Sequence, residues 1–204
     1  MPTFAERFLD DTVAVVQRLD RDQIEAVVDV LAATRAGGGR LFLCGSGGGA
    51  GHASHAACDF RKLCDIESYA VTDNVSELTA RINDEGWDTS YANWLRASRL
   101  RAADCVFAFS VGGGDVERGI SVNLVEAMRL GRERGAKVAG VVGRDGGELA
   151  RIADASIVIP TGEPGLVTPQ TEGLQAVMWH LIVSHPKLAA NEAKWESVTV
   201  PSPR

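Results

Sequence analysis

The sequence predicts a doubly wound α/β domain: a five-stranded parallel sheet with helices on both faces, preceded by an N-terminal helical hairpin. Three observations predict it. From Arg40 onward, short apolar runs alternate with amphipathic stretches of helical length. The runs are continuous and rich in Val, Ile, Leu and Phe, the pattern of strands covered on both faces. Two of them end in glycine clusters, Gly45-Ser46-Gly47-Gly48-Gly49 and Ser110-Val111-Gly112-Gly113-Gly114, where a parallel sheet carries its ligand loops.

Phe4, Phe8, Val15 and Leu19 recur at helical spacing, as do Ile24, Val27, Val28 and Leu31. A break at Leu19-Asp20-Arg21-Asp22, with an aspartate able to cap the second helix, and a stop at Gly37-Gly38-Gly39 give a hairpin over 1–36. It precedes the sheet layers, so its apolar stripe is assigned to oligomerisation. The sheet domain is read over 37–186. Strands are expected at Arg40–Cys44, Glu67–Val71, Cys105–Phe109, Lys137–Val142 and Ser156–Ile159. Helices are expected at Ala50–Leu63, Ser76–Ile82, Tyr91–Leu100, Ser121–Arg134, Glu148–Ala153 and about Thr171–Val183. The polar, proline-punctuated stretch 187–204 reads as a surface arm.

The 204 residues suffice for one domain with a full core. A net charge of −6 with scattered Lys and Arg argues against nucleic acid as the partner. No apolar run reaches membrane-spanning length, and the first residues lack a signal core, so the expected compartment is the cytoplasm. Cys44, Cys58, Cys64 and Cys105 form no CxxC pair, which leaves reduced structural thiols.

A glycine loop entering a helix offers orphan N–H groups and a helix dipole to an anion, usually phosphate. Two such loops suggest a phosphorylated ligand. The first also fits the dinucleotide fingerprint Gly45-x-Gly47-x-x-Ala50, with Asp73 available for a ribose. That second reading leaves the other loop and the histidines unused. On the helix after the first loop, His55 and Asp59 are four apart and share a face. They could hold a metal ion, act as an acid–base pair, or make an ordinary surface pair. On the last helix, Glu172 and His180 are eight apart, roughly 80° and about 12 Å on an ideal helix. One site reaches both only through an irregular first turn at Pro169 and Gly173, or by drawing on different subunits. His180 also reads as a core histidine among Val177, Met178, Trp179 and Leu181.

These residues together resemble the sugar isomerase (SIS) domain proteins, and among them the sedoheptulose-7-phosphate (phosphoheptose) isomerases, from about Phe4 to His185. The family's first loop, Cys-Gly-Asn-Gly-Gly-Ser-Ala, aligns with Cys44 to Ala50, and its helical His and Glu with His55 and Asp59. Its Asn-Asp before a glycine aligns with Asn83-Asp84 and Gly86, and its Gly-Arg-Asp-Gly-Gly with Gly143 to Gly147. Its final Thr-x-x-x-Gln and later His align with Thr168, Glu172 and His180. The family's phosphate loop departs here: Ser110 remains, Val111 and Gly112 replace two hydroxyl donors, and about five residues are inserted before Ser121-Val122-Asn123.

The resemblance implies an aldose–ketose isomerase of a sugar phosphate, with sedoheptulose 7-phosphate to a heptose 7-phosphate favoured. The reaction would proceed by metal-assisted proton transfer through an enediolate. It implies zinc or another divalent metal on His55, Asp59, Glu172 and His180, with no nucleotide cofactor. Asp59, Glu172 and His180 would be catalytic. Ser46, Gly47, Gly48, Asn83, Asp84, Ser110, Gly112, Gly113, Ser121 and Thr168 would bind substrate. The related enzymes are homotetramers with sites between subunits, so a homotetramer with shared active sites is expected. The altered phosphate loop keeps a non-catalytic SIS module, binding a sugar phosphate or a protein, as the alternative.

Overall fold

The computed structural model describes residues 1–194. Thr3 caps α1 (Phe4–Gln17) in a capping box with Glu6. Asp20 caps α2 (Arg21–Ala36) by accepting from the Asp22 and Gln23 N–H groups, as its position predicts. Strands β1 (Leu41–Gly45), β2 (Ser68–Ala70), β3 (Cys105–Ser110), β4 (Lys137–Val142) and β5 (Ala155–Val158) form one parallel sheet in the order β2-β1-β3-β4-β5. The order reverses between β1 and β3. That switch point opens a crevice beyond the strands' carboxyl ends. Gly45 pairs in register with Phe109, so both glycine loops leave the sheet side by side there.

Side chains alternate between the two faces of the sheet. Leu41, Leu43, Phe107 and Phe109 pack under α2, α3 (Gly48–Cys64) and α8 (Val167–Ser184). Phe42, Cys44, Val106 and Ala108 pack under α5 (Ser90–Ala97), α6 (Val122–Glu133) and α7 (Gly147–Ile152). α4 (Val75–Glu85) buries no side chain fully and meets the second core only through the partly buried Leu78.

Three expectations need correction. The segment 1–36 is not a hairpin standing off the sheet: Ile24, Val27, Val28 and Leu31 of α2 are core residues of the first layer. Only α1 stands off, burying Val15 and tying itself to the approach to α8, where Asp11 accepts from Glu163 N–H and Gln170 Nε2. Second, α8 begins at Val167, four residues before Thr171, and runs straight through Pro169. A proline in the first turn costs little because that N–H has no intrahelical acceptor. The irregular turn that would have brought Glu172 to His180 is therefore absent. Third, the arm is docked where it can be described. Leu188 is fully buried, and Ala190 and Asn191 donate to the Leu63 carbonyl. The rest of the arm, 195–204, lies outside the described residues.

The amino end of the sheet, opposite the crevice, is closed by one carboxylate just before β3. The fully buried Asp104 accepts from the Arg40 backbone N–H at 2.9 Å, Arg40 Nη2 at 2.8 Å and the Arg101 N–H at 3.0 Å. Burial alone would raise its pKa, but these donors outweigh it and hold the carboxyl below its ordinary range.

Candidate active site

The first loop turns on a close approach. A Cβ on Gly45 would sit 2.1 Å from the Gly49 carbonyl oxygen, so only glycine fits. Tyr91, buried under this turn, donates its hydroxyl to the Gly45 carbonyl at 2.7 Å. Its oxygen is 3.4 Å from Ser46 Oγ, which Asn123 Nδ2 also reaches at 3.4 Å. Burial pushes the Tyr91 phenol up to about 12, so it remains a donor at any working pH. Tyr91→Phe strands the Gly45 carbonyl and is expected to cost about 1–2 kcal/mol in urea denaturation. An unchanged midpoint would remove Tyr91 as the loop's anchor.

The second loop packs backbone to backbone on the turn after β4. A Cβ on Gly113 would meet the Gly146 oxygen at 2.0 Å. The Ser110 hydroxyl accepts from Gly113 N–H at 3.0 Å, so this side chain stabilises the loop itself. Between the loops lies a cavity of ≈ 1180 Å³, lined by Ser46, Gly112, Gly114, Ser121, Thr168 and the arginines Arg118, Arg144 and Arg151. Ser110 and Gly113 are buried behind its wall. Gly47 and Gly48 are exposed at the entry to α3.

Glu172 projects from α8 onto that entry. A Cβ on Gly48 would lie 2.6 Å from its carboxylate. The chain's own negative charge thus stands at the N-terminus of α3. A pyrophosphate there would meet it directly, which weighs against the dinucleotide reading and against the first loop as the phosphate site. Asp73, the residue offered for a ribose, is exposed beyond β2 on a separate cavity beside Cys58 and Arg61.

Farther along the seam between α3 and α8, three of the expected ligands converge. Asp59 Oδ2 is 3.7 Å from His55 Nε2 and 3.5 Å from His180 Nδ1, and it accepts from Trp179 Nε1 at 3.2 Å. Ligand atoms of His55, Asp59 and His180 all lie within 4.8 Å of one another. The Asp59 side chain is 13% exposed and the imidazoles more than half, so the cluster faces outward while Trp179 holds the carboxylate from behind. Two imidazoles and one carboxylate within this span suit a divalent ion such as zinc and leave a coordination position for an oxygen of a substrate. Glu172 does not join them in this chain. His180 is therefore not a core histidine; its ring stands at the surface beside His55, 5.5 Å between centroids.

His52, between these two regions, packs against Phe109 and Trp179 with its Nε2 buried and unpartnered. Burial lowers its pKa, with the nearby Glu172 opposing. Asn83 and Asp84 lie exposed in the last turn of α4, where Asn83 Nδ2 donates to Asp84 Oδ1 at 2.7 Å; neither lines the cavity. Sequence reasoning missed Trp179 and Tyr91. Trp179 could have been found beside His180; nothing in the sequence marks Tyr91.

The sequence model of the SIS domain family matches residues 7–143. The chain belongs to the SIS domain family. Within this family it stands in the phosphoheptose isomerase branch. It is 34% identical over 173 residues to the phosphoheptose isomerase of Mycobacterium tuberculosis, covering 80% of this chain and 85% of that protein. It is also 36% identical over 188 residues to the lincomycin biosynthesis protein LmbN of Streptomyces lincolnensis, with 87% of this chain matched and 66% of that protein's length spanned. Among solved structures, the phosphoheptose isomerase GmhA of Neisseria gonorrhoeae superposes with a TM-score of 0.75 at 25% identity, covering 89% of this chain and 98% of that one. Membership in this branch makes the SIS chain a sugar-phosphate isomerase.

Proposed function

We propose that this SIS protein interconverts a ketose and an aldose phosphate, with sedoheptulose 7-phosphate and a heptose 7-phosphate as the pair. The observation that carries the reading is the convergence of His55, Asp59 and His180 on a helix seam that begins at a glycine-loop cavity. Relatives named phosphoheptose isomerase supply the sugar class. Isomerisation needs a proton taken from the carbon beside the carbonyl, delivered to its neighbour, with an enediolate between. His55, Asp59 and His180 would hold a divalent metal, which when bound polarises the carbonyl and hydroxyl oxygens. With Asp59 engaged as a ligand, Glu172 is the carboxylate left free to take the proton. Without metal, Asp59 and His180 form the acid–base pair. The cavity at the two loops would bind the phosphorylated end and fix the reacting carbons.

Metal content is the first test. Protein purified without chelator is expected to carry zinc or a similar ion, and His55→Ala to lower the affinity at least ~10-fold through loss of a ligand. No ion on purification and no uptake on titration would leave only the metal-free acid–base pair. Incubation with ketose and aldose phosphates, with and without zinc, tests the reaction itself. The alternative, a non-catalytic module that binds sugar phosphate, is favoured by the lack of hydroxyls at Val111 and Gly112; any metal-dependent turnover rejects it.

We also infer a homotetramer with shared sites. Glu172 and His180 are separated by about 12 Å of helical rise, and the apolar Phe4, Leu9, Val13 and Val16 of α1 and Val177 and Leu181 of α8 are exposed on the single chain. Mixing and reassembling inactive Glu172→Ala and His180→Ala proteins is expected to restore part of the activity. A fully active monomer by light scattering would refute the sharing.

A further inference from the structure

We propose that Arg144 is the residue that binds the anionic group of the substrate, as its principal side-chain donor. This rests on the reading of a phosphorylated substrate and assigns the end of the molecule that the second loop would hold.

Four observations lead to it. The first loop is closed to an anion, because the Glu172 carboxylate already stands against Gly48. The second loop brings little of its own: Val111 and Gly112 have no side-chain donor, and Ser110 is buried, its Oγ accepting from Gly113 N–H. The positive charge of the shared cavity therefore comes from Arg118, Arg144 and Arg151. Two of these are neutralised locally. Arg118 pairs with Asp115 at 3.5 Å, and Arg151 with Glu148 at 2.9 Å. Arg144 makes no ion pair among the described residues. The neighbouring Asp145 also lines the cavity, but its Oδ1 accepts from Gly147 N–H at 3.2 Å within its own turn.

Position completes the case. The Arg144 backbone has φ of +56°, a left-handed conformation that a residue with a Cβ adopts at a cost. The side chain leaves this turn across the second loop: a Cβ on Gly112 would be 3.7 Å from Arg144 Cδ. The planar guanidinium offers a fork of donors matched to phosphate oxygens. Glycine would relieve the backbone here, and arginine stands instead.

The test measures binding of inorganic phosphate by calorimetry and turnover of sedoheptulose 7-phosphate by the metal-loaded protein. Arg144→Gln is expected to weaken phosphate binding and raise KM at least ~10-fold each, with kcat within about threefold, the pattern of lost binding shared by ground and transition states. Arg144→Lys should recover part of the loss. Arg144→Gly should bind phosphate as poorly as Arg144→Gln yet melt no lower than wild type, which a merely structural residue would not do. Arg151→Gln should weaken phosphate binding less than Arg144→Gln, because Glu148 already pairs that side chain. Wild-type affinity in Arg144→Gln, or an equal loss in Arg151→Gln, overturns the assignment. A wild-type protein that binds no phosphate overturns both the assignment and the phosphorylated-substrate reading. Arg144-dependent phosphate binding without turnover supports the assignment and overturns the isomerase reading.

Discussion

Asp59→Ala is expected to lower turnover at least ~100-fold, the scale of a lost acid–base or ligand group, while the protein stays folded. Asp59 touches both imidazoles and the Trp179 indole, so its removal uncouples all three. The loss is expected whether Asp59 holds a metal or moves the proton itself. Glu172→Gln separates these roles. If Glu172 is the base, glutamine in its place lowers kcat by a similar factor while metal content is unchanged. If turnover survives, the proton belongs to Asp59 and His180. The site faces outward, so neither change removes core packing, and circular dichroism should confirm an unchanged fold. Near-wild-type turnover in Asp59→Ala would remove that residue from the mechanism.

The largest effect on stability is expected at the amino end of the sheet, opposite the site. Asp104→Ala takes the acceptor from the Arg40 and Arg101 N–H groups and leaves the Arg40 guanidinium only the Ser98 and Arg99 carbonyls. Breaking such a partly buried pair costs about 3 kcal/mol. Urea denaturation of the two proteins measures it. The same carboxylate gives the stability a pH dependence. Its folded pKa lies below its unfolded value, so its contribution is complete above about pH 4 and is lost as pH falls through the folded value. His52 acts in the same direction nearer neutrality. Its lowered folded pKa makes the unfolded chain take the proton first, so stability declines as pH drops below about 6.5. Stability that rises on acidification from pH 7 to 5 would contradict the burial of His52.

The sheet was legible because strands covered on both faces leave continuous apolar runs, and each strand lies within a residue or two of its expected place. The caps were legible where chemistry is local, as at Asp20. Two features were not. Periodicity shows that α2 has an apolar face but not what the face meets, so its place in the core was missed. Pro169 reads as a breaker in sequence, whereas a first-turn position makes it harmless. The site divides in the same way. His55 and Asp59 follow from a spacing of four on one helix. Their meeting with His180 depends on how α3 packs on α8, which only the family resemblance could suggest. The placement of Glu172 against Gly48, Tyr91 beneath the first loop and Arg144 over the second depends on side-chain directions across separate elements. No local pattern encodes these.

The most direct measurement follows sedoheptulose 7-phosphate by NMR in the presence of zinc-loaded wild-type protein and of Asp59→Ala at equal concentration. The account predicts conversion to an aldose heptose 7-phosphate by the wild type and at least ~100-fold slower conversion by the variant. No aldose from the wild type, or equal rates from the two proteins, would contradict it.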